Sequence, residues 1–178
     1  MYTTTFYSFK GGVGRTLSLM NVAYYLCQKG NSVTIIDFDL EAPGLETFEL
    51  FQKKPDKIRG IVDYVNEYVD SFSSKKGPYV PPLNDFIYEA DYSKIKRIAK
   101  EKGSKSKQKL GKLWLVPASK SIKEKGIQRI NWKKLYDEQN GFLLFEELKM
   151  SISEYTKCDY LLIDSRTGLN DHSSICTQ

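Results

Sequence analysis

Apolar residues along this chain follow two rhythms. Short aliphatic or β-branched runs at Thr3 to Phe9, Ser32 to Asp37, Lys112 to Ala118 and Asp159 to Asp164 predict strands. Between them, apolar positions recur at helical spacing. Leu19, Val22, Ala23 and Leu26 predict a helix over Thr16 to Gln28, stopped at Gly30. Ile58, Ile61, Val62, Val65 and Val69 mark a second helix, and Phe142, Phe145, Leu148, Ile152 and Tyr155 a third. Asp85 to Ala90 reads as a short strand and Tyr92 to Lys100 as a helix carrying basic residues. Ser71 to Pro82, Gly103 to Lys109 and Ser119 to Gly126 read as loops. Strands alternating with helices predict an α/β fold with a mostly parallel sheet flanked by helices. The chain reads as a single domain, 1–178, with a basic insertion around 91–112.

The first strand and first helix bracket Phe9-Lys10-Gly11-Gly12-Val13-Gly14-Arg15-Thr16. Strand, glycine loop and helix form the context of a phosphate-binding loop. Glycines let backbone N–H groups turn toward phosphate oxygens, and the helix N-terminus adds partial positive charge. Thr16 supplies a hydroxyl suited to magnesium. The match to Gly-x-x-x-x-Gly-Lys-Ser/Thr is incomplete, because Phe9 replaces the first glycine and Arg15 the phosphate lysine. The alternative is a glycine-rich turn with no ligand. The second strand ends in Asp37-Phe38-Asp39, where carboxylates would face the ligand crevice of an open α/β sheet. Solvated loop acids or a helix N-cap are the plainer readings of that pair. The last strand ends in Asp164, an apolar run closed by a carboxylate that belongs beside a phosphate loop.

Lys10 directly before the glycine pair, with Arg15-Thr16 after it, resembles the deviant Walker A loop of the ParA/MinD ATPases. The resemblance extends to Asp37-Phe38-Asp39-Leu40-Glu41-Ala42-Pro43-Gly44 and Asp164-Ser165-Arg166-Thr167-Gly168. It implies a three-layer P-loop NTPase fold lacking its C-terminal part, since the family fold continues beyond the Walker B strand. It implies ATP and Mg2+ as ligands, bound by Gly11, Gly12, Val13, Gly14, Arg15 and Thr16. Thr16, Asp37 and Asp164 would organise the metal, and Asp39 would orient the attacking water. Lys10 would reach the phosphates of a dimer partner. Gly168 matches the glycine that senses the γ-phosphate. Arg166 stands where the family has a proline-containing turn, and would either join Arg15 on the phosphates or pair with a carboxylate. The implied function is an ATP-dependent dimeric switch with slow hydrolysis. Its rivals are a non-hydrolysing nucleotide sensor or scaffold, and a bacterial tyrosine kinase. The kinase pattern carries an arginine where Glu41 stands and clusters its tyrosines near the C-terminus. Here the tyrosines are scattered and none lies in the last eighteen residues.

Composition narrows the setting. The chain has 178 residues, enough for one domain with a real core, and 40% hydrophobic with 28% charged residues is an ordinary globular balance. No apolar run approaches the roughly 18 residues of a membrane span, and the N-terminus has no signal-like pattern. Cys27, Cys158 and Cys176 lack metal-ligand spacing, so inert thiols in a reducing cytoplasm are expected. His172 has no partner constellation. The net charge of +5 is concentrated at Lys94, Lys96, Arg97, Lys100, Lys102, Lys105, Lys107, Lys109 and Lys112. This segment reads either as a patch for DNA or another polyanion or as a solvated insertion.

Overall fold

The computed structural model describes residues 1–40, 42–75, 77–101, 109–119 and 130–165. Its strands are β1 (Tyr2–Phe6), β2 (Val33–Phe38), β3 (Tyr88–Glu89), β4 (Leu113–Val116) and β5 (Tyr160–Ser165). The helices are α1 (Arg15–Gln28), α2 (Ile61–Ser71), α3 (Tyr92–Glu101), α4 (Trp132–Glu138) and α5 (Gly141–Thr156). These strands form one sheet in the order β1-β5-β2-β4-β3. Every neighbouring pair is parallel except β3 with β4. The last of the described strands, β5, is thus inserted between β1 and β2.

Two apolar layers cover the sheet. On one face α1 and α3 place Leu19, Ala23, Cys27 and Ile95 against Val33, Ile35, Leu115 and Leu162. On the other, α2, α4 and α5 place Val65, Leu135, Leu148 and Ile152 against Ile36, Phe38, Val116 and Leu161. All six residues of β2 are buried, as a central parallel strand requires. Among the described strands β1 lies at an edge, with Tyr2 74% exposed and stacked on Tyr160.

The periodic reading locates the major elements and misplaces some of their faces. Val22 is exposed, while Met20, Tyr24 and Cys27 complete the buried side of α1. The third stripe keeps Leu148 and Ile152, but Leu144 is buried and Phe142 is exposed. Packing against α4 sets that rotation: a Cβ at Gly141 would lie 2.9 Å from the Leu135 side chain. α4 itself is not among the elements the periodicity predicts. The first strand ends at Phe6 rather than Phe9. The strand expected over Asp85 to Ala90 shrinks to Tyr88 and Glu89, because Leu83–Asp85 forms a single 3-10 turn closed by Phe86 N–H on the Leu83 carbonyl. The loops expected at Gly103 to Lys109 and Ser119 to Gly126 lie almost wholly outside the described residues. So do His172 and Cys176.

Candidate functional site

Strand register assembles the site. Phe6 pairs with Asp164, and Asp164 pairs with Asp37, so β1, β5 and β2 end at one level. The loop after β1 starts from that level and turns into α1. Gly12 and Gly14 hold it with φ of +72° and +80°, a conformation that strains any residue with a Cβ. No acidic residue occupies the first turn of α1, so its N-terminal amides face no competing carboxylate on their own helix. A cavity of about 540 Å³ opens over the loop.

Gly11, Gly12, Val13, Gly14, Arg15, Thr16 and Asp39 all line this cavity. Lys10 does not. It is exposed at the rim, its carbonyl accepting the Ser8 hydroxyl at 3.0 Å. Asp37 and Asp164 sit below the lining, each 1% exposed. Thr16 Oγ1 donates to Asp164 Oδ2 at 2.7 Å. Arg166 and Gly168 lie outside the described residues.

Arg15 makes the shortest polar contacts of the site. Its Nε donates to Asp164 Oδ1 at 2.6 Å, and a terminal nitrogen donates to Asp39 Oδ2 at 2.6 Å. The Arg15 side chain is only 7% exposed. Burial works against its charge, but the hydrogen bonds and charges of Asp164 and Asp39 outweigh that and raise its pKa. The arginine that departs from the usual phosphate-loop spelling therefore ties together two of the three candidate carboxylates.

Among the described residues, Asp37 has no such cation. It accepts weak bonds from the Asp39 and Leu45 amides, at 3.2 and 3.4 Å. Burial, and next the charge of Asp164, push its pKa up to about 8 despite those bonds. Asp37 is thus no solvated loop acid, although it does receive the N–H that opens the 3-10 turn Leu45–Thr47.

The oxygen donors of Thr16, Asp37 and Asp164 suit a hard cation such as Mg2+. Among the described residues no cluster of three or more acidic, His or Cys side chains forms a closed cage. A metal here would therefore share its coordination with phosphate and water. Glycine loop, helix N-terminus and cavity suit a phosphate chain equally. Sequence reasoning did not single out the far wall of the cavity, formed by Thr47 and Phe48 with Ala42 and Gly44. Only the Ala42-Pro43-Gly44 turn offered a signal. Thr47 and Phe48 reach the cavity through the path of the chain after it.

The profile of the CobQ/CobB/MinD/ParA nucleotide binding domain matches residues 4–151. The chain belongs to this family. Its fold is shared with a plasmid partition protein from Borrelia burgdorferi, at 21% identity and a TM-score of 0.59 over 98% of this chain and 60% of that one. It is also shared with the cell division ATPase MinD of Pyrococcus furiosus, at 20% identity and a TM-score of 0.58, over 98% and 54% of the two chains. A Borrelia burgdorferi plasmid partition protein bound to AMPPNP is similar at 20% identity and a TM-score of 0.58, over 98% and 56%. The chain thus spans 54–60% of the length of these structures. No curated protein matches the sequence. As a member of the CobQ/CobB/MinD/ParA family, the chain is a nucleotide-binding domain of P-loop architecture. No helix among the described residues is long and apolar enough to cross a membrane.

Proposed function

We propose that this chain is a Mg2+-dependent ATPase of the ParA/MinD type that dimerises around nucleotide in the cytoplasm. One observation carries the reading: the register of β1, β5 and β2 gathers Thr16, Asp37, Asp39 and Asp164 beside a glycine loop that lines an open cavity. Bound ATP would supply a γ-phosphoryl group for transfer to water, a reaction that asks the protein mainly for positioning and charge stabilisation. The amides of Gly11 to Thr16 would cradle the phosphates. Thr16 and Asp164, with Asp37 behind them, would hold the metal. Asp39 would orient water, and Arg166 and Gly168 would approach the γ-phosphate. Lys10, exposed and clear of its own cavity, is free to complete the site of a second subunit. DNA or another polyanion would bind through Lys94 to Lys112.

ATP binding and hydrolysis with Mg2+, measured alongside mass by light scattering, test this. Wild type should form dimers with ATP and turn over slowly. Lys10→Ala should lose dimerisation and hydrolysis while keeping monomer binding, and Asp39→Ala should lose hydrolysis. An unaltered dimer in Lys10→Ala would sink the assignment of Lys10. A second reading, a nucleotide sensor without turnover, is favoured by the Arg15 clamp on Asp39. It would appear as nucleotide binding with no phosphate release.

A further inference from the structure

Arg15 connects parts of the site that arrive by different routes. Asp164 ends β5, Asp39 follows β2, and the guanidinium starts α1. Both ion pairs measure 2.6 Å, and the side chains of Arg15, Asp39 and Asp164 are 7%, 15% and 1% exposed. The second oxygen of Asp164 is held by the Thr16 hydroxyl. Arg15 therefore offsets the negative charge of Asp39 and Asp164 from within the chain. An ammonium is a flexible point charge, whereas a guanidinium is a rigid fork that can span two carboxylates at once. Arginine in place of the lysine of the common motif makes this bridge possible.

We propose that Arg15 is a latch that holds Asp164, a carboxylate of the cation site, together with Asp39 until a polyphosphate binds. Its guanidinium supplies the positive charge beside Asp164 that a divalent ion would otherwise bring, and leaves when a polyphosphate draws it away. The inference rests on the nucleotide reading of the loop, and it adds an order of events. A polyphosphate entering the glycine loop offers the guanidinium charge-assisted bonds as strong as those it leaves. Asp164 is then uncompensated and attracts the divalent ion together with Thr16 and Asp37, while Asp39 is released toward water. Free cation binds weakly while the latch is closed, so polyphosphate and cation each promote the other's binding.

The test uses Mn2+ as probe on the 178-residue chain without nucleotide, read by electron paramagnetic resonance. Arg15→Gln should bind Mn2+ roughly tenfold or more tightly than wild type, because the carboxylates lose their internal cation. Arg15→Lys, which keeps the charge but not the fork, should fall between them and carries the comparison if the Gln variant does not fold. Equal Mn2+ affinity in wild type and variants would overturn the latch. Its release is read on wild type by nitrogen NMR of the Arg15 Nε–H during titration with metal-free tripolyphosphate. That resonance should start in the hydrogen-bonded range and move as tripolyphosphate binds. Tripolyphosphate that binds without moving it overturns the release step. Failure of tripolyphosphate to bind would defeat the nucleotide reading, while the Mn2+ comparison would still decide whether the latch exists.

Discussion

Asp37 is a carboxylate buried next to another carboxylate, and this arrangement carries a cost that depends on pH. Its pKa rises from an ordinary 3.8 to about 8 on folding. Below pH 4 the side chain is protonated in both states and no penalty arises. Between pH 4 and 8 the unfolded chain gives up a proton that the folded chain retains, so stability falls as pH rises. The slope approaches about 1.4 kcal/mol per pH unit for one such group. Above pH 8 the loss is complete. Asp37→Asn removes this dependence. In metal-free buffer its melting temperature should exceed that of wild type at pH 8 and converge with it near pH 4. Parallel melting curves across that range would contradict the assignment. A residue kept at a cost to stability, at the end of a central strand, is what a cation-binding role would produce. Burial beside Asp164 is a property of the register, and no feature of the local Asp-Phe-Asp spelling reveals it.

At the scale of elements, two close approaches on either side of β4 bring backbone against backbone. Gly60 precedes α2, and a Cβ there would lie 2.3 Å from the Ser119 amide nitrogen, just beyond the end of β4. The α2 amides of Ile61 and Val62 donate to the carbonyls of Pro117 and Ala118 at 2.8 and 3.0 Å, which explains the close approach. Gly111 leads into β4, and a Cβ there would lie 1.8 Å from the Asn31 carbonyl oxygen. Both positions need glycine for space, since neither backbone adopts a positive φ. Gly60→Ala and Gly111→Ala should each destabilise the fold by about 1–3 kcal/mol or more, read as a lowered urea midpoint. Gly44→Ala is the control. Its nearest neighbour would be 4.0 Å away, and its midpoint should stay close to wild type. Glycine is visible in the sequence at all three positions, but which of them is crowded depends on the docking of segments remote in the chain.

At the scale of the whole molecule, the basic segment is partly neutralised by the chain itself. Arg97 donates to both carboxylate oxygens of Glu49, at 2.7 and 2.6 Å, and Lys94 donates to the Glu49 carbonyl at 2.7 Å. Lys112 pairs with Glu89 at 3.0 Å, and Lys96 lies over the Tyr92 ring. Glu49 thus draws two cations of α3 onto the segment that follows the cavity wall at Thr47 and Phe48. Lys102, Lys105 and Lys107 lie outside the described residues. If α3 contacts DNA, Glu49→Gln should tighten duplex binding severalfold at low salt and steepen its salt dependence by about one phosphate contact. Fluorescence anisotropy at two salt concentrations reads both. Unchanged affinity and slope would remove α3 from any polyanion contact.

The alternation of strands and helices is legible in the order of residues, because apolar period and glycine punctuation are local properties. So is the glycine loop, with Thr16 at the start of α1, because that loop depends on residues adjacent in the chain. Five of the singled-out side chains, at Arg15, Thr16, Asp37, Asp39 and Asp164, converge at one end of the sheet. The helical faces were less legible: Phe142 and Val22 belong to an apolar rhythm yet stay exposed, since the neighbouring elements decide which side of a helix is covered. The insertion of β5 between β1 and β2 is visible only once the chain is folded, and it brings Asp164 to residues about 150 positions away. That insertion turns Arg15 from a departure in a motif into a bridge between Asp39 and Asp164. Charge on a side chain is written in the sequence, but its partner is set by which strand ends lie side by side.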